Sequence, residues 1–290
     1  MKFDKNTKIL IVGLGLIGGS YAKALSDEGY FVGAIDKKKS SVEYALKNGL
    51  IQVGETSVKK DFVKGFDLIV FALYPHDFIN WIKEYQSSIK SGALITDVTG
   101  VKSFVVENVQ KILRGDLEFV GAHPMAGKEV SGVENADSKI FVGANYIVTP
   151  TKKNTDENVQ AVKDLGRALG FERVSSLSPE EHDETVGFLS HLTHCIAVSL
   201  MVSKKSHHLA EYTGDSFRDL TRIAKINDEM WSELFLANKD ELLKQMDLFE
   251  EKFNQLKEDI KNDNREKIRE TLRESTARRK VFDKDAKETK

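Results

Sequence analysis

Lys8-Ile9-Leu10-Ile11-Val12-Gly13-Leu14-Gly15-Leu16-Ile17-Gly18-Gly19 joins an apolar run of strand length to glycines spaced G-x-G-x-x-G, and a helix-length stretch follows as far as Glu28. Each glycine answers a physical need. Gly13 permits a tight strand-to-helix turn, Gly15 lets backbone amides approach a pyrophosphate, and Gly18 lets the helix pack closely on a sheet. The unpaired N–H groups of the helix N-terminus then favour the anion. A second apolar run, Phe31-Val32-Gly33-Ala34-Ile35, ends at Asp36, eighteen residues beyond Gly18. A carboxylate there reaches ribose hydroxyls and repels a 2′-phosphate. Gly13, Leu14, Gly15, Leu16, Ile17, Gly18 and Asp36 are therefore expected to bind NAD in preference to NADP, with Lys37-Lys38-Lys39 pulling the other way.

The alternation begun there continues. Leu68 to Leu73, Ala93 to Asp97, Phe119 to Gly121 and Tyr146 to Thr149 are short, β-branched or aromatic runs separated by helix-length segments. This rhythm predicts an α/β chain whose N-terminal part, residues 1–176, is a doubly wound Rossmann-type sheet. Ligands bind such sheets beyond the carboxyl ends of the strands. Tyr74-Pro75-His76, Asp97-Val98-Thr99-Gly100 and His123-Pro124-Met125-Ala126-Gly127 all fall there.

Beyond Ser178 no strand is evident and Pro179 is the last proline, so residues 177–290 are expected to form an all-α C-terminal domain. Ser178, Pro179 and Glu181 mark a helix start with a capping box, and that helix is expected to run to about Val202. Another is expected from Asn227-Asp228 onward as one long helix. Its apolar positions Leu242, Met246, Phe249, Phe253, Leu256 and Ile260 recur at 4-3-4-3-4, a seam for a partner helix in this chain or in a second subunit. The polar stretch from Asp283 to Lys290 is expected to fray.

The 290 residues carry a formal charge of −2, which gives no basic footprint for nucleic acid or a membrane surface. No apolar stretch reads as long enough for a membrane span, and Met1-Lys2-Phe3-Asp4 lacks a signal-peptide core, so a cytoplasmic protein is expected. The single cysteine, Cys195, sits in an apolar helical stretch and reads as a small hydrophobe rather than a nucleophile.

Three groups of residues are candidates for chemistry. His123 follows an apolar strand-like run at the sheet's carboxyl edge, where a histidine accepts a hydroxyl proton while hydride leaves the same carbon, or else merely caps the loop. Asp183, Gly187, Ser190 and His194 recur at i, i+4, i+7 and i+11, which places them on one helix face and makes His194 a pocket candidate. His191 and His194 lack the H-E-x-x-H context of a metal site, so no metal is expected. His207-His208 reads as a solvated helix end. Arg218 and Arg222, at i and i+4, are spaced to grip one dicarboxylate, although on spacing alone two surface arginines paired with acids is the simpler reading.

Together, Gly13 to Ser20, Gly121 to Gly127, Ser190-His191-Leu192-Thr193-His194 and Asp219-Leu220-Thr221-Arg222-Ile223-Ala224 resemble the prephenate/arogenate dehydrogenase family of tyrosine biosynthesis. The resemblance covers nearly the whole chain. It implies oxidative decarboxylation of prephenate to 4-hydroxyphenylpyruvate with NAD, His123 being the base, Arg222 the binder of a substrate carboxylate and His194 a neighbour of the substrate side chain. Arg218 stands where a relative carries a basic residue assisting binding. Trp231 matches a tryptophan that in some relatives reaches the neighbouring subunit's pocket, which implies a homodimer. Relatives commonly carry a serine in D-x-x-S-x-K that orients the histidine and the nicotinamide. Here that position is Gly100, with Thr99 the nearest hydroxyl.

The first strand starts so near Met1 that no fused chorismate mutase is expected, and the helical half takes up the chain before an added regulatory domain of the ACT type could fit, so that tyrosine, if it inhibits, is expected to act at the active site or subunit interface. Arogenate, with an ammonium in place of the keto group, is the nearest alternative substrate. Lys128, beside His123-Pro124-Met125-Ala126-Gly127, argues against it if that lysine faces the pocket. More distant readings are a β-hydroxyacid dehydrogenase, which relies on a helical lysine, and a dinucleotide-sensing protein without turnover.

Overall fold

The computed structural model describes residues 1–205 and 208–282; His207 and the stretch 283–290 lie outside the described residues. The strands are β1 (Lys8–Val12), β2 (Phe31–Ile35), β3 (Val53–Glu55), β4 (Leu68–Phe71), β5 (Leu94–Asp97), β6 (Glu118–Phe119), β7 (Gly121–Pro124), β8 (Asn145–Thr149) and β9 (Arg173–Ser176). The helices are α1 (Leu16–Asp27), α2 (Lys39–Lys47), α3 (Lys60–Val63), α4 (Pro75–Tyr85), α5 (Ser103–Ile112), α6 (Asp156–Ala168), α7 (Pro179–Val186), α8 (Thr193–Val202), α9 (Asp215–Thr221), α10 (Asp228–Ala237), α11 (Lys239–Lys261) and α12 (Arg265–Arg279).

Six parallel strands lie in the order β3-β2-β1-β4-β5-β6, with Val12 paired to Ile35 on one side and to Phe71 on the other. Side chains alternate across this sheet. Ile9, Ile11, Val32, Ala34 and Val70 enter one apolar cluster, whereas Leu10, Val12, Ile35, Ile69 and Phe71 enter the other. Both faces are thus buried, which is why the strands read as continuous apolar runs. The connections leave β1 and β4 in opposite directions, and the crevice between their carboxyl ends is the place this topology offers a ligand.

The sheet reading needs one correction. The run Phe119 to Gly121 does not make a single strand: β6 continues the parallel sheet, Val120 N–H still donates to Ile95 O at 3.0 Å, and the chain then turns into β7. Strand β7 belongs to a separate three-stranded sheet, antiparallel to β8, which is in turn parallel to β9. Gly121 allows the crossing, because a Cβ there would meet Thr149 Oγ1 at 2.5 Å. His123 therefore stands within a strand, opposite Ile147, rather than in a loop after one.

The helical half opens as the capping box predicts: Ser178 Oγ accepts from Glu181 N–H at 3.1 Å, and the Glu181 carboxylate accepts from Ser178 N–H at 2.8 Å. The helix reaches Val202, but residues Gly187–Leu192 between α7 and α8 are wound as a π-helix. A face counted at 100° per residue therefore does not run unbroken from Asp183 to His194. The expectation of no span-length apolar stretch is also corrected. Pro179–Val202 is long enough to cross a membrane and has an 18-residue window of mean hydropathy 1.5, because its carboxylates all lie in the first two turns.

The single long helix expected from Asn227 breaks at Asn238, which is buried and leaves α10 and α11 as separate helices. Met1–Lys239 forms one compact unit and Asp240–Lys290 another. In the second, Phe249 and Phe253 stack with ring centroids 6.0 Å apart, 40% and 58% exposed respectively.

Candidate active site

The glycine loop meets the requirements of a dinucleotide cradle. Gly13 has φ +99°, where only glycine is unstrained, and a Cβ on it would strike Ala72 O at the end of β4. A Cβ on Gly18 would strike Gly13 O, so helix and turn touch. Above Gly15 there is open space, and α1 begins there without a side-chain cap or an acidic residue in its first turn. The first-turn amides thus keep their attraction for an anion. Asp36 accepts from Leu14 N–H at 2.6 Å and Lys38 N–H at 2.7 Å, which fixes its carboxylate beside the loop. The chain's residues fit NAD at this site.

Around His123 the structure builds a hydrogen-bonded series. His123 Nδ1 and His182 Nε2 are 2.9 Å apart, and His182 Nδ1 is 2.8 Å from Asp183 Oδ1. A carboxylate only accepts, so the proton lies on His182 Nδ1, which leaves His182 Nε2 to accept from His123 Nδ1–H. His123 Nε2 is then an unprotonated base. Burial, reinforced by His182, Lys102 and His191, holds the His123 pKa well below the usual histidine value. Burial also lowers that of His182, against the opposing pull of Asp183.

Asp183 has a second task. Helix α5 lacks a local side-chain cap, and the Asp183 carboxylate supplies one from α7 by accepting from Lys102 N–H and Ser103 N–H, each at 2.8 Å. Burial raises the Asp183 pKa, but the bonds from His182 and the two amides outweigh it and hold the carboxyl below its ordinary range. Glu233 does the same for α4 from α10, accepting from His76 N–H at 2.6 Å. Asn238, at the break after α10, lies 2.9 Å from Asp183 O and 3.2 Å from His191 Nδ1.

The expected site residues do not all converge. The Thr99 hydroxyl donates to Asp97 and receives from Lys102 Nζ, and His123 is not among its partners, so it does not orient the imidazole by a direct hydrogen bond. A Cβ on Gly100 would lie 3.8 Å from His123 Nε2 and 3.5 Å from the Leu234 methyls. His194 Nδ1 donates to Ser190 O at 2.8 Å, and its ring lies against Trp231 of the same chain, with centroids 3.7 Å apart. Burial lowers the His194 pKa and the Arg222 charge adds to the effect, while Ser190 O and Glu129 oppose it.

The two arginines do not form one grip. Helix α9 ends at Thr221, so Arg218 turns to Asp215 at 3.1 Å and to Thr213 O at 3.0 Å, whereas Arg222 pairs with Glu129. Lys128 is half exposed and paired with Asp137 at 3.0 Å, so its charge is already balanced and carries no argument against an ammonium-bearing substrate.

Asp97 and Lys102 figured in the sequence only through motifs, as the ends of D-x-x-S-x-K, and Glu129, His182, Leu234 and Asn238 were not singled out for the site. For His182 a signal existed. It directly precedes Asp183 and sits one turn inside a helix whose start the capping box fixes. Among the described residues, no group of three or more His, Cys, Asp or Glu is arranged to hold a metal ion.

Comparison with known proteins agrees across both parts of the chain. Residues 21–173 match the family model described as prephenate dehydrogenase, nucleotide-binding domain, and residues 178–274 the one described as prephenate dehydrogenase, dimerization domain. The chain is 34% identical to the prephenate dehydrogenase of Bacillus subtilis over 82% of its own length and 66% of that protein's. It is 32% identical to the prephenate dehydrogenase of Lactococcus lactis over 86% of its length and 70% of the relative's. The solved prephenate dehydrogenase of A. aeolicus, in complex with hydroxyphenyl propionate and NAD+, superposes with a TM-score of 0.87 at 34% identity over 96% of this chain and 98% of that one.

Proposed function

The chain belongs to the prephenate dehydrogenase family, and we propose that it catalyses the NAD-dependent oxidative decarboxylation of prephenate to 4-hydroxyphenylpyruvate. The observation that carries this reading is the series His123–His182–Asp183, which leaves His123 Nε2 free as a base beside Gly100 and Leu234. NAD, when bound by Gly13 to Gly18 and Asp36, supplies the hydride acceptor. His123 Nε2 takes the proton of the substrate's C4 hydroxyl as the C4–H electron pair departs. The positive charge that develops on the imidazole is stabilised through His182 by the Asp183 carboxylate. Departure of the ring carboxylate as CO2 returns its bonding pair to the ring and makes it aromatic, so the step does not run backwards.

Arg222 holds a substrate carboxylate, exchanging its Glu129 partner for it. His194, stacked on Trp231, walls the pocket beside it. Arg218 assists binding as a second cation, with two of its donors turned to Asp215 and Thr213 O.

Residues 177–290 act as the substrate-binding and dimer-forming half of a homodimer, and residues 1–176 as the NAD-binding half. The match of residues 178–274 to a dimerization domain supports this. So does the apolar surface of Phe188, Leu189, Met201 and Val202, 55%, 49%, 46% and 73% exposed, on the span-length helix. We read that helix as an interface element of a cytoplasmic enzyme rather than a membrane span, because its polar residues His182, Asp183 and His191 are buried in protein. Absorbance of NADH measured with prephenate and, separately, with arogenate tests the assignment. A higher kcat/KM with prephenate is the expected result; turnover of arogenate alone transfers the site to that substrate, and turnover of neither leaves the dinucleotide-sensing reading.

A further inference from the structure

Lys102 is fully buried, and its ammonium makes three hydrogen bonds. It donates to Asp97 Oδ2 at 2.6 Å, to Ala122 O at 2.5 Å and to Thr99 Oγ1 at 3.1 Å. Asp97 Oδ1 in turn accepts from Ala122 N–H at 3.0 Å. Both polar groups of Ala122, the residue before His123, are thereby gripped by one ion pair. The backbone N–H of the same Lys102 donates to Asp183 Oδ1, at the far end of the histidine series.

We propose that Lys102, with Asp97, is a positioning residue for His123: its side chain holds the strand that carries the base and its main chain holds the carboxylate that orients it. A buried ion pair replaced by apolar groups is often neutral for stability, so stability alone does not account for placing one here. The gain is geometric. The side chain of His123 meets His182 of α7, and β7, held on one side by β8, has left the parallel sheet, so the ion pair supplies its link back to β5. The Lys102 cation, held by the carbonyl of the residue before His123, also opposes protonation of the imidazole, consistent with the depressed pKa. Thr99 belongs to this clamp as the third partner of the ammonium.

The inference rests on His123 being the base, and the test separates the two. In Lys102→Met, kcat is expected to fall about 10- to 100-fold, the usual cost of a small misplacement of a reacting group. KM for prephenate and the dissociation constant of NAD are expected to stay within about threefold. The acidic limb of kcat/KM against pH is expected to move to higher pH, because the opposing cation is gone; loss of a merely structural contact would not move it. Where Lys102→Met leaves Asp97 unpaired and the protein fails to fold, the neutral pair Asp97→Asn with Lys102→Met carries the same expectation of lowered kcat at unchanged KM. A folded variant of either kind with wild-type kcat and an unmoved acidic limb overturns the clamp. If His123→Asn also keeps its turnover, the base assignment fails with it; if His123→Asn alone is inactive, only the clamp fails.

Discussion

His123 donates from Nδ1 to His182 Nε2 across 2.9 Å, and that one contact settles which nitrogen of each ring carries a proton. Everything the base can do follows from the acceptor at the end of the series, Asp183. In Asp183→Asn, either orientation of the amide turns a donor toward a donor: toward Ser103 N–H, or toward Lys102 N–H and His182 Nδ1–H. We expect kcat to fall by about two to four orders of magnitude, the range seen when a base loses its orienting carboxylate. NAD affinity, read by fluorescence titration, should stay near wild type. A kcat within threefold of wild type would remove Asp183 from the series.

Activity should survive mild acid. Because burial and neighbouring cations hold His123 well below 6.5, kcat/KM is expected to stay level as pH drops through 6.5 and to decline only below it. A decline centred at or above pH 6.5 would show a base with an ordinary histidine pKa and contradict this geometry.

Stability should weaken in the same direction. Burial, opposed by Asp183 and aided by His182 and His194, lowers the His191 pKa to about 4. Between pH 6.5 and 4 the unfolded chain binds a proton that the folded chain refuses, so stability is lost as pH falls across that window, by roughly 3 kcal/mol over its full width. Urea midpoints at pH 7.5 and 5 should differ less in His191→Gln than in wild type. Equal differences would mean that His191 takes no part.

Asp36→Asn keeps an oxygen for Leu14 N–H while removing the charge. The ratio of kcat/KM for NAD to that for NADP should narrow about 10- to 100-fold, the worth of one hydrogen bond to a charged group. An unchanged ratio would assign selectivity to other residues, with Lys37-Lys38-Lys39 the first to examine.

For Arg222→Ala we expect KM for prephenate to rise about 10- to 100-fold with little change in NAD affinity. Lysine should restore only part of it, since the planar fork is lost. An unaltered KM would pass the carboxylate to Arg218.

Light scattering of the wild type should give a dimer at micromolar concentration. Phe249→Glu with Phe253→Glu places carboxylates on the exposed stacked pair of α11 and should yield monomers or insoluble protein. A wild-type monomer with full activity would refute the assembly.

The parallel sheet could be read from the chain because its cause is local: apolar runs, turn glycines and helix lengths are written residue by residue. The departure of β7 into its own sheet could not, since nothing between Phe119 and Gly121 states that a Cβ at 121 would collide with Thr149, twenty-eight residues on. The site divides in the same way. His123, His194 and Arg222 lie in recognisable motifs, whereas the partners of His123 come from α7 and from the turn before α5, and only the folded chain brings Asp183 to Lys102 and Ser103. Spacing alone favours two surface arginines paired with acids over a shared grip, and the structure shows those pairs, because α9 stops between the two residues.

The six residues Gly187–Leu192 take more than the usual number of residues per turn, so the helix holds a surplus that ordinary winding has no room for. Asp183 and His182 precede that surplus, whereas His194 follows it. Removal of a single residue, Leu189 for instance, would take out that surplus and let the stretch rewind as an ordinary helix, with α7 and α8 left in nearly the same rotational phase. Removal of two would overshoot and swing all that follows by about 100° relative to Asp183, so that His194 would leave Trp231 while the base and its carboxylate stayed where they are. The surplus thus lets this helix shed one residue without moving the substrate wall, a tolerance that an evenly wound helix does not offer.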